Sequence, residues 1–185
     1  MLKKIYNIIL TISFPFIYIN KFFSNFFYIK YGEAEPYRIG HLVGEMSFVG
    51  PRPNVERETK MYSVVEKKIL SIRPGITDFS SIIFSDEGDI LEGSNDPDLK
   101  YNQTIRPWKS RLALIYIDKR NLFIDIKIIL WTLIGIISKK YVLKNITNFL
   151  RRIKSDNLLI EVCKREEEPI AFPPPGFNKI ISKRP

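Results

Sequence analysis

Arg52 stands between Pro51 and Pro53 and directly after Gly50, and Arg73 precedes Pro74-Gly75. A guanidinium is a planar fork whose spacing suits phosphate oxygens. The two prolines fix φ on either side of Arg52, so little backbone freedom is lost when it engages a ligand. Gly50 permits a backbone conformation that a side chain would forbid. Two such arginines could neutralise phosphates. The same residues admit a plainer account, in which Arg52 is a solvated arginine on a stiff turn. Arg73 would then pair with a carboxylate to hold the Pro74-Gly75 turn.

The remaining chemistry-bearing residues exclude several classes. His41 is the only histidine, which rules out a His-rich zinc site and fits a structural or surface role. Cys163 is the only cysteine, so there is no intramolecular disulfide, and the chain suits a reducing compartment. Asp86-Glu87-Gly88-Asp89 and Asp96-Pro97-Asp98 are rich in acids. They lack the spacing and the closing bidentate glutamate of a calcium loop. Lys+Arg 29 against Asp+Glu 20 gives a net charge of +9, which suits nucleotide phosphates, the anionic cytoplasmic leaflet or nucleic acid. A nucleic-acid partner is disfavoured, because the aromatics sit in apolar runs rather than among arginines on a polar face.

The elements that must position the arginines can be read in outline. A chain of 185 residues supports one domain with an appended tail. Met46–Val49 can pair as a strand or close a helix. Asn54–Leu70 reads as one amphipathic helix spacing Arg52 from Arg73. Its apolar side is Val55, Tyr62, Val65, Ile69 and Leu70, and Glu56, Arg57, Glu58, Lys60, Lys67 and Lys68 lie outside. Ile76-Thr77 starts an extended segment, and Phe79–Trp108 is polar and irregular. Lys109–Lys140 holds two helical patterns around an Asp118–Asn121 turn. In the second, Ile128–Ile137 is too short to span a membrane and fits a helix lying against the bilayer or the core, with Trp131 at an interface depth.

The two ends differ. Lys3 and Lys4 precede the apolar run Ile5–Ile19, which Asn7, Thr11, Ser13 and Pro15 interrupt, and Phe22–Ile29 is dense in aromatics. The first thirty-one residues read as a helix broken near Ser13-Phe14-Pro15 that dips into one leaflet and returns; a spanning helix is the alternative. No small residues mark a signal-peptide cleavage site among Asn20–Phe23. At the other end, residues 141–185 form a basic and proline-rich tail. There Leu158–Val162 suits a short strand and Pro173-Pro174-Pro175 suits an extended, exposed run.

The decapeptide Gly44-Glu45-Met46-Ser47-Phe48-Val49-Gly50-Pro51-Arg52-Pro53, then a helix, then Ile72-Arg73-Pro74-Gly75-Ile76-Thr77-Asp78, resembles the bacterial sugar transferases. These are polyprenyl-phosphate phosphoglycosyl transferases of the monotopic type. The resemblance covers roughly Gly32 to Ile137. In Ile82, Asp86-Glu87, Ile90-Leu91, Asp96-Pro97-Asp98 and Tyr101 it extends to a subset with a helical insert. It implies a helix-rich α/β domain with a small sheet, anchored by an N-terminal re-entrant or membrane-anchoring helix broken at Ser13 and Pro15. It implies a place on the cytoplasmic face of the bacterial inner membrane.

The resemblance further implies transfer of a sugar phosphate from a UDP-sugar to polyprenyl (undecaprenyl) phosphate, the step that initiates surface glycan, exopolysaccharide or lipopolysaccharide assembly. Arg52 and Arg73 would bind phosphate. The family uses an Asp-Glu pair whose first carboxylate attacks the β-phosphate, with magnesium bridging the pyrophosphate. Aligned without gaps, Glu33 falls on the nucleophile and on the magnesium-binding position, and Ala34 falls on the second carboxylate. The segment that separates hairpin from dyad in the family is also missing here. Residues 32–140 therefore read as a truncated transferase domain. The chain is either an enzyme with a glutamate nucleophile or an inactive relative that serves as a membrane-docked interaction protein.

Overall fold

The computed structural model describes residues 46–182. Ser13, Pro15, Glu33, Ala34 and His41 lie outside the described residues. Contacts divide the chain into Met1–Val43 and Gly44–Pro185, and all the described elements belong to the second unit.

The two arginine motifs form the sheet. Strand β1 (Ser47–Val49) pairs in parallel with β2 (Gly75–Thr77), with Ser47 opposite Gly75 and Val49 opposite Thr77. Among the described residues these are the only two strands. Parallel strands need a long crossover, and residues 50–74 supply it. At its two ends the backbones touch. The Gly75 N–H donates to the Pro51 carbonyl at 2.9 Å, and a Cβ on Gly75 would lie 2.1 Å from the Gly50 nitrogen. Only glycine allows that approach.

The crossover is not the single helix expected over Asn54–Leu70. It breaks into α1 (Glu56–Lys60) and a 3₁₀ helix (Glu66–Ser71). The reason is a capping box in Ser63-Val64-Val65-Glu66. The Ser63 hydroxyl accepts the Glu66 N–H at 3.0 Å, and the Glu66 carboxylate accepts the Ser63 N–H at 3.1 Å. Tyr62 and Ile69 are buried with Ala113, whereas Val55, Val65 and Leu70 are exposed.

Residues 79–105 are helical in short pieces rather than irregular. Asp78 caps α2 (Phe79–Ile83) by accepting from the Ser81 N–H. Then follow α3 (Glu87–Leu91) and α4 (Pro97–Lys100), the latter capped by Asp96 with proline in its first turn. A π-helical turn, Tyr101–Ile105, leads into α5 (Arg106–Lys119). The turn expected at Asp118–Asn121 is present, and Asn121 caps α6 (Leu122–Ile137) by accepting the Ile124 N–H at 3.1 Å. Two further helices follow, α7 (Lys139–Arg152) and α8 (Asn157–Lys164). Leu158–Val162 is thus helix, not strand. Asp156 caps it, and Leu159, Ile160, Val162 and Cys163 are buried at helical spacing.

One apolar cluster runs from Val49 through Phe79, Ile83, Trp108, Leu112 and Ile128 to Val142, Ile146, Leu150, Leu159 and Cys163. Polar ties fix its layers. Tyr116 on α5 donates to Asp125 on α6 at 2.8 Å and lies 3.2 Å from the Val49 carbonyl. Thr77 on β2 shares a 2.7 Å hydrogen bond with Thr132 on α6. Asp86 meets Lys139 at 3.0 Å and Arg165 at 3.1 Å, joining the α2–α3 turn to α7 and the end of α8.

Helix α6 has only Ile124 and Ile128 buried, and of these Ile128 completely. Leu122, Phe123, Ile126, Leu130, Leu133 and Ile136 are exposed, and Ile137 is 90% exposed. Among the described residues no helix is long and apolar enough to cross a membrane.

Candidate active site

The Pro51–Asn54 turn, the start of α2 and the first turns of α5 border a cleft. It is lined by Pro51, Arg52, Asn54, Tyr62, Ile69, Asp78, Ser80, Tyr101, Arg106, Lys109, Ser110 and Ala113. The α5 contribution follows from spacing, since residues 106, 109, 110 and 113 share one helix face. Arg52 is half-buried, carried on the proline-clamped turn that leaves β1. Arg73 is exposed and is not among the lining residues, although its backbone sits against Gly50. The structure therefore brings Arg52 together with Ser80, Arg106, Lys109, Ser110 and Ala113, which sequence reasoning did not single out.

Beneath the cleft lies a buried ion pair. Arg106 Nη2 is 2.9 Å from Glu66 Oε2, and Arg106 Nη1 donates to Asn102 at 3.1 Å. The other carboxylate oxygen of Glu66 accepts from Ser110 at 2.7 Å. The Arg106 guanidinium lies 5.3 Å from the Tyr62 ring centre, and the Tyr62 hydroxyl accepts from Asn54. Burial pushes the Tyr62 hydroxyl up to about 12, against the opposing effects of the Asn54 hydrogen bond and the Arg106 charge. Lys109 is paired with Glu87 and sits 5.3 Å from the Tyr101 ring centre. Burial also raises the Glu58 carboxyl, while Arg106, Arg57 and Lys109 pull it the other way.

Two carboxylates at this cleft, Asp78 and Glu66, are committed to neighbours within the fold. Asp78 accepts from the Ser80 hydroxyl at 2.8 Å and from the Ser81 N–H and hydroxyl, both at 2.7 Å. Glu66 is saturated by Arg106, Ser110 and Ser63. Among the described residues no group of three or more His, Cys, Asp or Glu side chains could hold a metal ion. Glu33, to which the magnesium and the nucleophile were assigned, lies outside the described residues. What the described part supplies is cationic and polar: Arg52, and Lys109 paired with Glu87, beside Ser80, Ser110 and Asn54, which already donate to Asp78, Glu66 and Tyr62. Such an arrangement suits phosphate oxygens and electrostatic stabilisation rather than attack.

One missed feature was readable. Ser63-x-x-Glu66 is a capping-box pattern, and it announces both the helix break and an inward glutamate. Arg106 carries no such local signal, because its partner is 40 residues away.

The family model of the bacterial sugar transferases matches residues 39–139, more than half of the chain, and the match contains both strands, the cleft and α6. The chain belongs to the bacterial sugar transferase family. No curated protein and no solved structure matches it.

Proposed function

We propose that this chain transfers a sugar phosphate from a UDP-sugar to polyprenyl phosphate at the cytoplasmic face of a bacterial membrane, initiating surface glycan assembly. The observation that carries the reading is the position of Arg52. In a chain of this family, it holds a proline-fixed guanidinium in a cleft that Lys109 and the Glu66-paired Arg106 also line. Arg52 binds the diphosphate, and Arg73, beside the Gly50–Gly75 contact, is the second cation assigned to phosphate. Glu33 attacks the β-phosphorus. A carboxylate oxygen–phosphorus bond forms, the bridging phosphoanhydride bond breaks, and UMP leaves. The polyprenyl phosphate oxygen then displaces the carboxylate and takes the phosphosugar. Magnesium, where bound, supplies charge neutralisation of the diphosphate.

The apolar outer face of α6 supports the lipid half of the reaction. Exposed contiguous apolar surface of this kind marks an interaction face. Lys119 and Arg120 precede α6, and Lys140 and Lys144 follow it, all exposed and suited to anionic headgroups.

Ala34, where the family has its second carboxylate, favours a second reading: an inactive, membrane-docked relative that serves as an interaction protein. Intact-mass measurement decides between them. Full-length protein in nanodiscs is given magnesium and a panel of UDP-sugars. The transferase reading expects a phosphosugar adduct and released UMP, with the adduct lost in Glu33→Gln and both signals reduced in Arg52→Ala. No adduct and no UMP across the panel, beside a working family member, favours the inactive relative.

A further inference from the structure

The proline-rich tail is not an exposed run. Pro169, Pro174 and Pro175 are buried, and residues 169–181 cross back over α5. The Trp108 indole donates to the Ile170 carbonyl at 2.9 Å, and its ring packs on Phe172 with centroids 4.8 Å apart. The Phe172 N–H donates to the Gln103 carbonyl at 3.0 Å, and the Gln103 side chain donates to the Ile181 carbonyl at 2.7 Å. The Arg111 guanidinium lies 4.7 Å from the Phe172 ring centre. None of these tail residues falls within the family match of 39–139.

Midway along its course the strap meets Ser63, whose hydroxyl donates to the Pro175 carbonyl. That same oxygen accepts the Glu66 N–H, and Glu66 holds Arg106 and Ser110 in the wall of the cleft. Arg106 supports the Tyr62 ring, whose hydroxyl is bonded to Asn54, two residues from Arg52. A continuous set of contacts, buried from Ser63 to Arg106 and part-buried at the Tyr62–Asn54 hydrogen bond, therefore joins the tail to the phosphate-binding turn. In a buried network each bond helps fix the next.

We infer that the C-terminal strap is a positioning element of the cleft, with Ser63 and Gly176 as the residues that dock it. Gly176 is the point of closest approach. Its φ is +85°, and a Cβ there would stand 2.7 Å from the Ser63 hydroxyl and 3.0 Å from Val65 Cγ2. Any side chain both strains this backbone and pushes the strap off Ser63. The inference rests on the nucleotide reading of the cleft for its functional half only.

The test uses the full chain with Gly176→Ala, Ser63→Ala and, as a surface control, Asn178→Ala. Hydrogen exchange by mass spectrometry reads residues 55–71, and isothermal titration reads UDP and inorganic pyrophosphate affinity. The expectation is about tenfold faster exchange across residues 55–71 in both docking variants, with α7 unchanged. UDP affinity should fall about fivefold in both docking variants, an effect of a lost support and not of a lost contact. The control should match wild type. Phe172→Ala, which unseats the strap from Trp108 and leaves the Ser63–Glu66 capping box intact, keeps the strap testable if Gly176→Ala does not fold and separates its loss from loss of the cap. Unchanged exchange over 55–71, or acceleration spread evenly over α7 and α8, overturns the strap. A wild-type chain that binds neither UDP nor pyrophosphate overturns the nucleotide reading, and the exchange comparison still decides the strap.

Discussion

Glu66 and Arg106, 40 residues apart in the chain, meet with 2.9 Å between oxygen and nitrogen and with side chains 0% and 1% exposed. The pair lies between the capping box and α5, so it joins the crossover to the helix that forms the cleft wall. Removing one partner leaves a buried charge, which costs about 3–5 kcal/mol, whereas replacing both with apolar groups of similar volume costs far less. Glu66→Ala and Arg106→Ala should each lose that amount in urea unfolding, and Glu66→Leu with Arg106→Met should lose less than either. Single losses under about 1 kcal/mol would show the pair is not holding the fold.

Gly75→Ala should damage the sheet more than any surface change. The added methyl meets the Gly50 nitrogen at 2.1 Å and its carbonyl at 2.6 Å, both backbone atoms that cannot rotate away. Such overpacking is expected to cost about 3 kcal/mol or more. Gly93→Ala is the comparison, because its φ of +71° carries strain but nothing lies within 4 Å. A thermal melt with equal losses at both positions would contradict the close-approach argument.

The outer face of α6 should govern vesicle binding without governing stability. Leu130→Glu and Leu133→Glu place charge on exposed positions, where substitutions typically change stability by within about 0.5 kcal/mol. Co-sedimentation with anionic vesicles should drop several-fold in the double variant while the melting temperature holds. Equal binding of wild type and variant would remove this face from membrane contact.

Cys163 should be chemically silent in the native protein. Burial in the α7–α8 core pushes its thiol up to about 12 from an ordinary 9.0, with the Arg165 charge opposing. A folded-state value above the unfolded one means its contribution to stability is complete below pH 9 and is lost as pH rises from 9 towards 12. Ellman's reagent should fail to label the native protein at about pH 8 and label it fully in urea. Labelling of the folded protein at the rate of a free thiol would refute the burial.

Much of the strand pair and the cleft turn was legible because glycine and proline act locally. Gly50-Pro51-Arg52-Pro53 and Arg73-Pro74-Gly75 mark turns whatever surrounds them, and both sit where such turns are needed. The Asp118–Asn121 turn and α6 were legible for a related reason, a capping residue followed by a long apolar pattern. The crossover was misread because its alternating charges look like a solvated face, and that pattern hid the Ser63–Glu66 box inside it. The tail was misread because a proline run favours extension anywhere. Extension says nothing about what lies beneath, and here Trp108 and Ser63 do.

By itself the amino-acid order determined the family motifs, the points where the backbone must bend, the caps of α2, α4 and α6, and the arginine held rigid between two prolines. These depend on side chains within a few residues of one another. Only the tertiary structure decided that Arg52 shares its cleft with Lys109, that Arg73 does not line it, that Glu66 is buried, and that the tail closes over α5. Those outcomes rest on contacts between residues tens of positions apart. For a buried pair such as Glu66 and Arg106 the favourable term exists only once both ends are in place, so neither residue's own neighbourhood announces it.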